Sequence, residues 1–298
     1  MRLAHISDPH FGTEDPRVCD ALRVDLLNEA PDLVVVTGDI TQRARTKQFL
    51  AARTFFDGLA PLPLLTLPGN HDLPLFDLFT RFTAPYGRYR RHICPTLSPV
   101  WLGQDVAVVG VNSTRVMRHK HGELPRELVQ AIARTLEQLH QRFKVVALHH
   151  PLVVIEHSDL RNRVRNADEA LATWVGAGAD LFLGGHIHLP YCVAAENAPR
   201  AAVVVQAGTS VSTRRRGGRP NSYNLVRLES NGTRRMLIEQ RDHSFGEARF
   251  IPSLLTNATF GVTGWTFRAE DDWTGSDAGE VTALGQSPEA ERSCERNR

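Results

Sequence analysis

Cysteine is scarce in this chain. Cys19, Cys94, Cys192 and Cys294 stand far apart, without CxxC or paired spacing, so neither a zinc knuckle nor a disulfide framework is indicated. A reducing, cytoplasmic setting fits that usage best. Long apolar runs are also lacking: no stretch reaches the ~18 consecutive apolar residues of a membrane span. The first residues already carry a strand pattern, with no basic and then apolar leader ahead of it. An excess of either charge is missing too, and the formal net charge of +2 is too small to imply a nucleic-acid partner.

What is plentiful is histidine, thirteen residues in a chain of 298, several of them beside Asp, Asn or Gly where an apolar run stops. A chain of this length forms one large or two small domains and buries a core without staples.

The most informative stretch is Gly69-Asn70-His71-Asp72. An apolar run, Leu62 to Leu67, breaks at Pro68-Gly69 and at once presents an amide oxygen, an imidazole and a carboxylate. Open α/β sheets build their sites at such strand ends. Four other segments repeat the theme. Leu3 to Ile6 ends in Asp8-Pro9-His10, where two residues spaced i and i+2 on an extended chain project to one side. The β-branched run Leu33 to Val36 stops at Gly38-Asp39, although that aspartate would serve equally as a helix cap. Lys144 to Leu148 ends in His149-His150-Pro151, and Asp180 to Leu183 runs into Gly184-Gly185-His186-Ile187-His188.

Helical spacing between these strands, from Val18 to Ala30, Arg43 to Leu59, Leu124 to Phe143 and Ala167 to Gly178, predicts strand and helix in alternation. Trp101 to Leu102 and Val106 to Val111 read as a hairpin. Residues 74 to 99 lose periodicity and mix aromatics with arginines, as a lid over the site or a locally packed connection would. After His188 come strands at Tyr191 to Ala194, Ala202 to Gln206, Ser222 to Leu228 and Arg235 to Gln240, which predicts a second, largely antiparallel sheet beside the first. The arginines 214 to 216 between them read as solvated.

Residues 246 to 267 keep Phe250, Ile251, Leu254, Leu255, Phe260, Trp265 and Phe267, available to pack on the core or to form a subunit contact such as that of a homodimer. From 268 to 298 the composition turns polar and acidic, which reads as a disordered tail.

Taken together, Asp8, His10, Asp39, Asn70, His149, His186 and His188 give seven ligand-capable side chains at five strand ends. That is more than one ion uses once substrate and water are bound, so two ions sharing a carboxylate account for them better.

The ordered blocks D-x-H, GD, GNH-[ED], H and GHxH, complete here as Asp8-Pro9-His10, Gly38-Asp39, Gly69-Asn70-His71-Asp72, His149 and Gly185-His186-Ile187-His188, resemble the calcineurin-like metallophosphoesterase superfamily. Within it the chain looks most like the bacterial class III cyclic-nucleotide phosphodiesterases. The resemblance covers residues 1 to 245, read as one metallophosphoesterase domain. It implies an α/β fold of two packed mixed β-sheets flanked by helices. It further implies one ion on Asp8, His10 and His188, a second on Asn70, His149 and His186, and Asp39 bridging. The ions would be divalent or of mixed valence, drawn from Mn, Fe, Zn and Co. By the same resemblance, a hydroxide held between ions ~3.5–4 Å apart attacks phosphorus in line. The substrate would be a small phosphodiester, a cyclic nucleotide among the candidates, or a phosphomonoester. His71 would hold the phosphate and protonate the leaving oxygen. Asp72 would support the turn, and His150 would be structural. A nuclease using the arginines at 88–91, 161–165 and 214–219, or a non-catalytic module on the same scaffold, are the alternatives. Relatives of the second kind would be expected to have lost ligands, and none is missing here.

Overall fold

The computed structural model describes residues 1–268 apart from 142, 196, 197 and 231. The stretch 268–298, expected to be a disordered tail, lies outside the described residues save for Arg268. The first sheet begins with three short parallel strands, β1 (Arg2–Ile6), β2 (Leu33–Val36) and β3 (Leu64–Thr66), joined by helices α1 (Pro16–Glu29) and α2 (Thr46–Asp57). Crossovers of this kind leave both faces of the strands covered, which is why they read as unbroken apolar runs.

The second sheet opens with the expected hairpin, β4 (Val100–Leu102) and β5 (Val106–Val111). Parallel strands β6 (Phe143–Leu148) and β7 (Leu181–Gly184) follow through helices α5 (Arg126–Gln138) and α6 (Ala167–Gly176). Strands β8 (Tyr191–Ala195) and β9 (Ala202–Gln206) close it, with β9 parallel to β7.

Here the structure corrects the sequence reading. The late strands do not build an antiparallel sheet of their own. Instead β10 (Ser222–Glu229) pairs antiparallel with β1, and β11 (Arg235–Ser244), β12 (Arg249–Gly261) and β13 (Gly264–Arg268) extend the first sheet from there. Strand β1 has an open edge after β2 and β3 form, and an unpaired edge is a template for any later strand. Periodicity reveals a strand but not the edge it will join.

The two mixed sheets pack face to face. Leu3, Leu33, Val35 and Leu65 of the first meet Val108, Val145, Leu183 and Val205 of the second. Alternate residues point the other way: Ala4, Ile6, Val34 and Val36 pack on α1 and α2, and Val109, Val146 and Phe182 pack on α5 and α6. The result is a helix–sheet–sheet–helix sandwich. No helix among the described residues is long and apolar enough to cross a membrane.

Two local expectations also change. The helix expected to reach Phe143 ends at Gln138, and Phe143 is a strand residue stacked on Trp265. Residues 74 to 99 contain helices α3 (Leu78–Thr83) and α4 (Gly87–His92). Buried Arg81 holds this region in place by donating to the carbonyls of Pro74, Val116 and Arg118.

Candidate metal centre

The seven residues lie where the strands of both sheets end on one side of the sandwich, after β1, β2, β3, β6 and β7. They converge. His10 Nε2 lies 3.6 Å from Asp8 Oδ1 and 3.0 Å from His188 Nε2, which is itself 3.3 Å from Asp8 Oδ1. A second group forms around His149, whose Nε2 is 3.2 Å from Asn70 Oδ1 and 3.3 Å from His186 Nδ1. Asp39 stands between the groups, with Oδ2 3.7 Å from His10 Nε2 and Oδ1 3.4 Å from His149 Nε2.

The backbone reaches this geometry in a way the sequence did not suggest. Asp8 and His10 are not on an extended segment; both have positive φ, as do Asp39, His186 and His188. These are five of the nine non-glycine residues in the left-handed region among the described residues. Each costs on the order of 1–2 kcal/mol, strain that persists where surrounding structure enforces it and that clusters at functional sites. The neighbouring glycines allow the close approach. A Cβ on Gly69 would lie 2.2 Å from Asp39 Oδ1, and one on Gly185 would lie 1.9 Å from Ser7 Oγ and 2.6 Å from Asp8 Oδ2.

Hydrogen bonds behind the cluster fix which atoms face inward. His149 Nδ1 donates to the Thr37 carbonyl at 2.7 Å and His188 Nδ1 to the Arg214 carbonyl at 2.8 Å, leaving both Nε2 lone pairs for the centre. Asp8 Oδ2 accepts from Ser7 Oγ and from the His186 amide, which turns Oδ1 inward. Neither Ser7 nor these carbonyls stood out in the sequence; for Ser7, its place one residue before the first ligand was the available signal.

Electrostatics follow from that crowding. Burial disfavours a charged His149, but Asp39 beside it prevails and pushes its pKa up to about 9. Burial would likewise raise Asp39, yet His149 and His71 hold it well below the usual carboxylate range. Burial pushes His10 down to about 3, so that ring is neutral and its lone pair is free. Asp8 Oδ1, which faces His10 Nε2 and His188 Nε2, is buried without a hydrogen-bond partner. Uncompensated acceptors of buried carboxylates and neutral imidazoles are what a cation satisfies, and mixed N and O donors suit first-row divalent metals. The residues therefore fit a two-ion centre.

His71 lies at the rim. Its Nδ1 donates to the Gln42 carbonyl at 2.9 Å and its Nε2 is 4.0 Å from Asp39 Oδ2. Asp72 points away from the centre into the turn, where it accepts from the amides of Gly69, Ile40 and Thr41 and from Thr41 Oγ1. His150 sits against His186 but has both nitrogens engaged, by Ser113 Oγ and the Lys120 carbonyl. A cavity of about 680 Å³ opens above Asp39, Asn70, His71, His186 and His188.

Residues 1–190 match the family model described as calcineurin-like phosphoesterase. The chain belongs to that family. Among curated proteins it is 30% identical over 169 residues to the glycerophosphodiester phosphodiesterase GpdQ of Enterobacter lignolyticus, a match covering 51% of this chain and 57% of that protein. It is 26% identical over 254 residues to a cAMP/cGMP dual specificity phosphodiesterase of Mycobacterium tuberculosis, covering 76% and 75%. The first two such relatives are thus matched over little more than half of their length. The fold is shared with the purple acid phosphatase PPD1 of yellow lupin, at a TM-score of 0.61 and 12% identity, over 86% of this chain and 53% of that one. Within this family member, two-sheet architecture and the five motif blocks coincide as the sequence implied.

Proposed function

We propose that the chain is a dinuclear-metal phosphoesterase that hydrolyses phosphodiesters in preference to monoesters, with cyclic nucleotides among the candidate substrates. The observation that carries this is the position of Asp39, one carboxylate oxygen turned to each of two donor groups. Asp8, His10 and His188 would hold one ion and Asn70, His149 and His186 the other, with Asp39 shared between them. When bound, such a pair of ions supplies charge that polarises the ester and lowers the pKa of water to about 7.

The chain's own residues do the rest. The carbonyls of Thr37 and Arg214 keep the imidazoles of His149 and His188 in a single tautomer and orientation. His71, with Nδ1–H held by the Gln42 carbonyl, presents Nε2 to the cavity, and in the doubly protonated ring that Nε2–H binds a phosphoryl oxygen and passes its proton to the departing one. The named relatives act on phosphodiesters, which supports the same bond class here.

Several finer points belong to the same reading. The ions are drawn from Mn, Fe, Zn and Co. Cytoplasmic placement is supported by Cys19, Cys94 and Cys192 being unpaired. A nuclease is disfavoured because Arg88, Arg163 and Arg216 are committed to Asp77, Asp168, Glu156 and Asp159 within the chain. The test is a screen of the Mn-loaded protein against bis(p-nitrophenyl) phosphate, p-nitrophenyl phosphate, cyclic AMP and single-stranded DNA. Faster turnover of the diester and cyclic nucleotide is expected; no metal-dependent hydrolysis of any of them would refute the proposal.

A further inference from the structure

The cavity over the metal centre carries far more positive charge than one phosphate needs. Arg43, Lys120, Arg214, Arg215 and Arg216 all line it, and Asp39 is the one carboxylate among its lining residues. Of the three consecutive arginines, only Arg216 is neutralised among the described residues, by ion pairs to Glu156 and Asp159.

The other two are held by neutral groups. Arg214 donates to the Gln42 side-chain oxygen at 3.1 Å, with the same Nη1 3.5 Å from His10 Nε2. The Arg215 guanidinium rests on the Phe245 ring, 5.0 Å from its centroid. Lys120 is exposed in the same lining, its carbonyl tied to His150, and it makes no ion pair among the described residues.

An arginine meant only to stiffen a loop is commonly paired with an acid, as Arg216 is. An amide and an aromatic ring fix a guanidinium without cancelling its charge. The scissile phosphate is already served by the two ions and His71. Cations at the rim therefore act on a different group, and the planar guanidinium fork matches a phosphate.

We propose that Arg215 and Lys120 form a second anion subsite beside the metal centre, and that the substrate is a small phosphate ester carrying a further phosphate. This rests on the phosphoesterase reading for the scissile bond, but the subsite itself is testable by binding alone.

The experiment compares equilibrium binding of thymidine 3′,5′-bisphosphate and thymidine 5′-phosphate to the full metal-loaded chain, alongside turnover of the 5′-p-nitrophenyl esters of both. The bisphosphate should bind at least tenfold more tightly, and its ester should be cleaved with at least tenfold higher kcat/KM. Arg215→Ala and Lys120→Ala, both at exposed positions, should bring each ratio towards one, with unchanged melting temperature as the control for folding. Equal binding of the two nucleotides by the wild type, or ratios untouched in both variants, would overturn the subsite. Tighter binding of the bisphosphate with neither ester hydrolysed would uphold the subsite and refute the phosphoesterase reading. A ten-nucleotide single strand that outcompetes the bisphosphate, with a steep salt dependence, would overturn the small-molecule assignment and give these cations to a nucleic-acid backbone.

Discussion

The backbone carbonyl of Arg214 accepts a hydrogen bond from Nδ1 of His188 at 2.8 Å, so the loop of consecutive arginines fixes the orientation of a proposed metal ligand. That loop is in turn held by Arg216, which reaches Glu156, Asp159 and the carbonyl of Ile187, the residue between His186 and His188. Groups that orient ligands in this way are worth about 10–100-fold in metal affinity. Arg216→Ala is expected to weaken binding at the Asp8, His10 and His188 position by about tenfold. Titration of the apo-protein with Mn would measure it, and unchanged affinity for both ions would show that the loop does not act through His188.

Asp39 and His71 separate ion binding from catalysis. Asp39→Ala removes the side chain that faces both donor groups, so both ions should be lost together, more completely than in Asn70→Ala or His188→Ala. His71→Ala removes a group proposed to touch the substrate and to hold no ion. Turnover should fall by about 10²–10⁴ with both metals retained. Metal analysis beside kinetics reads the two effects, and metal loss in His71→Ala would place His71 among the ligands instead.

Asp72 carries the turn. Burial and the charge of Asp39 push its pKa up to about 7, but four donors surround it and no acceptor does, which leaves no place for a proton. The ionised form is the one this geometry holds, and cations on Asp39 would relieve the repulsion. Asp72→Ala would strand three backbone amides, at about 1–3 kcal/mol for each buried group left unsatisfied. Thermal unfolding should show a loss of several degrees, and a melting temperature within one degree of wild type would contradict the role.

How much of this was legible beforehand depended on whether the signal was local. Strands buried on both faces announce themselves as apolar runs, and polar residues at their ends follow directly, so β1, β2, β3, β6 and β7 and the residues after them were readable. Which edge β10 would join was not, because pairing partners leave no local trace. The left-handed backbone at Asp8, His10, Asp39, His186 and His188 was hidden because Asp and His, although they visit that region more often than most residues, mostly do not, and packing decides where they do. Arg214 read as solvated because its partners, Gln42 and His188, come from other segments.

The C-terminal hairpin β12–β13 gives a stability test of the same non-local kind. Buried Asp180 accepts from Arg200, Arg234 and, at 3.3 Å, Trp265 Nε1, and the Arg234 guanidinium lies over the rings of Phe143, Phe260 and Trp265. Asp180→Ala leaves two guanidiniums without their partner, a change that costs about 3–5 kcal/mol when such a pair is fully buried and less here, where the arginines are about one-fifth exposed. Denaturant unfolding should show a clear loss, and an unchanged midpoint would mean the network contributes no net stability.

Two glycines set the last test, because the same substitution meets opposite surroundings. At Gly69 a new Cβ would fall 2.1 Å from the Asp39 amide nitrogen and 2.2 Å from its Oδ1, so Gly69→Ala must displace the residue proposed to bridge the ions. At Gly176, at the end of α6, a Cβ meets nothing within 4 Å. Helix propensity then favours alanine by roughly 0.5–1 kcal/mol. Gly176→Ala should raise the melting temperature slightly with full activity, whereas Gly69→Ala should lose both metal and turnover. If Gly69→Ala kept two ions and normal turnover, the close packing of the turn against Asp39 would not be what positions the bridge.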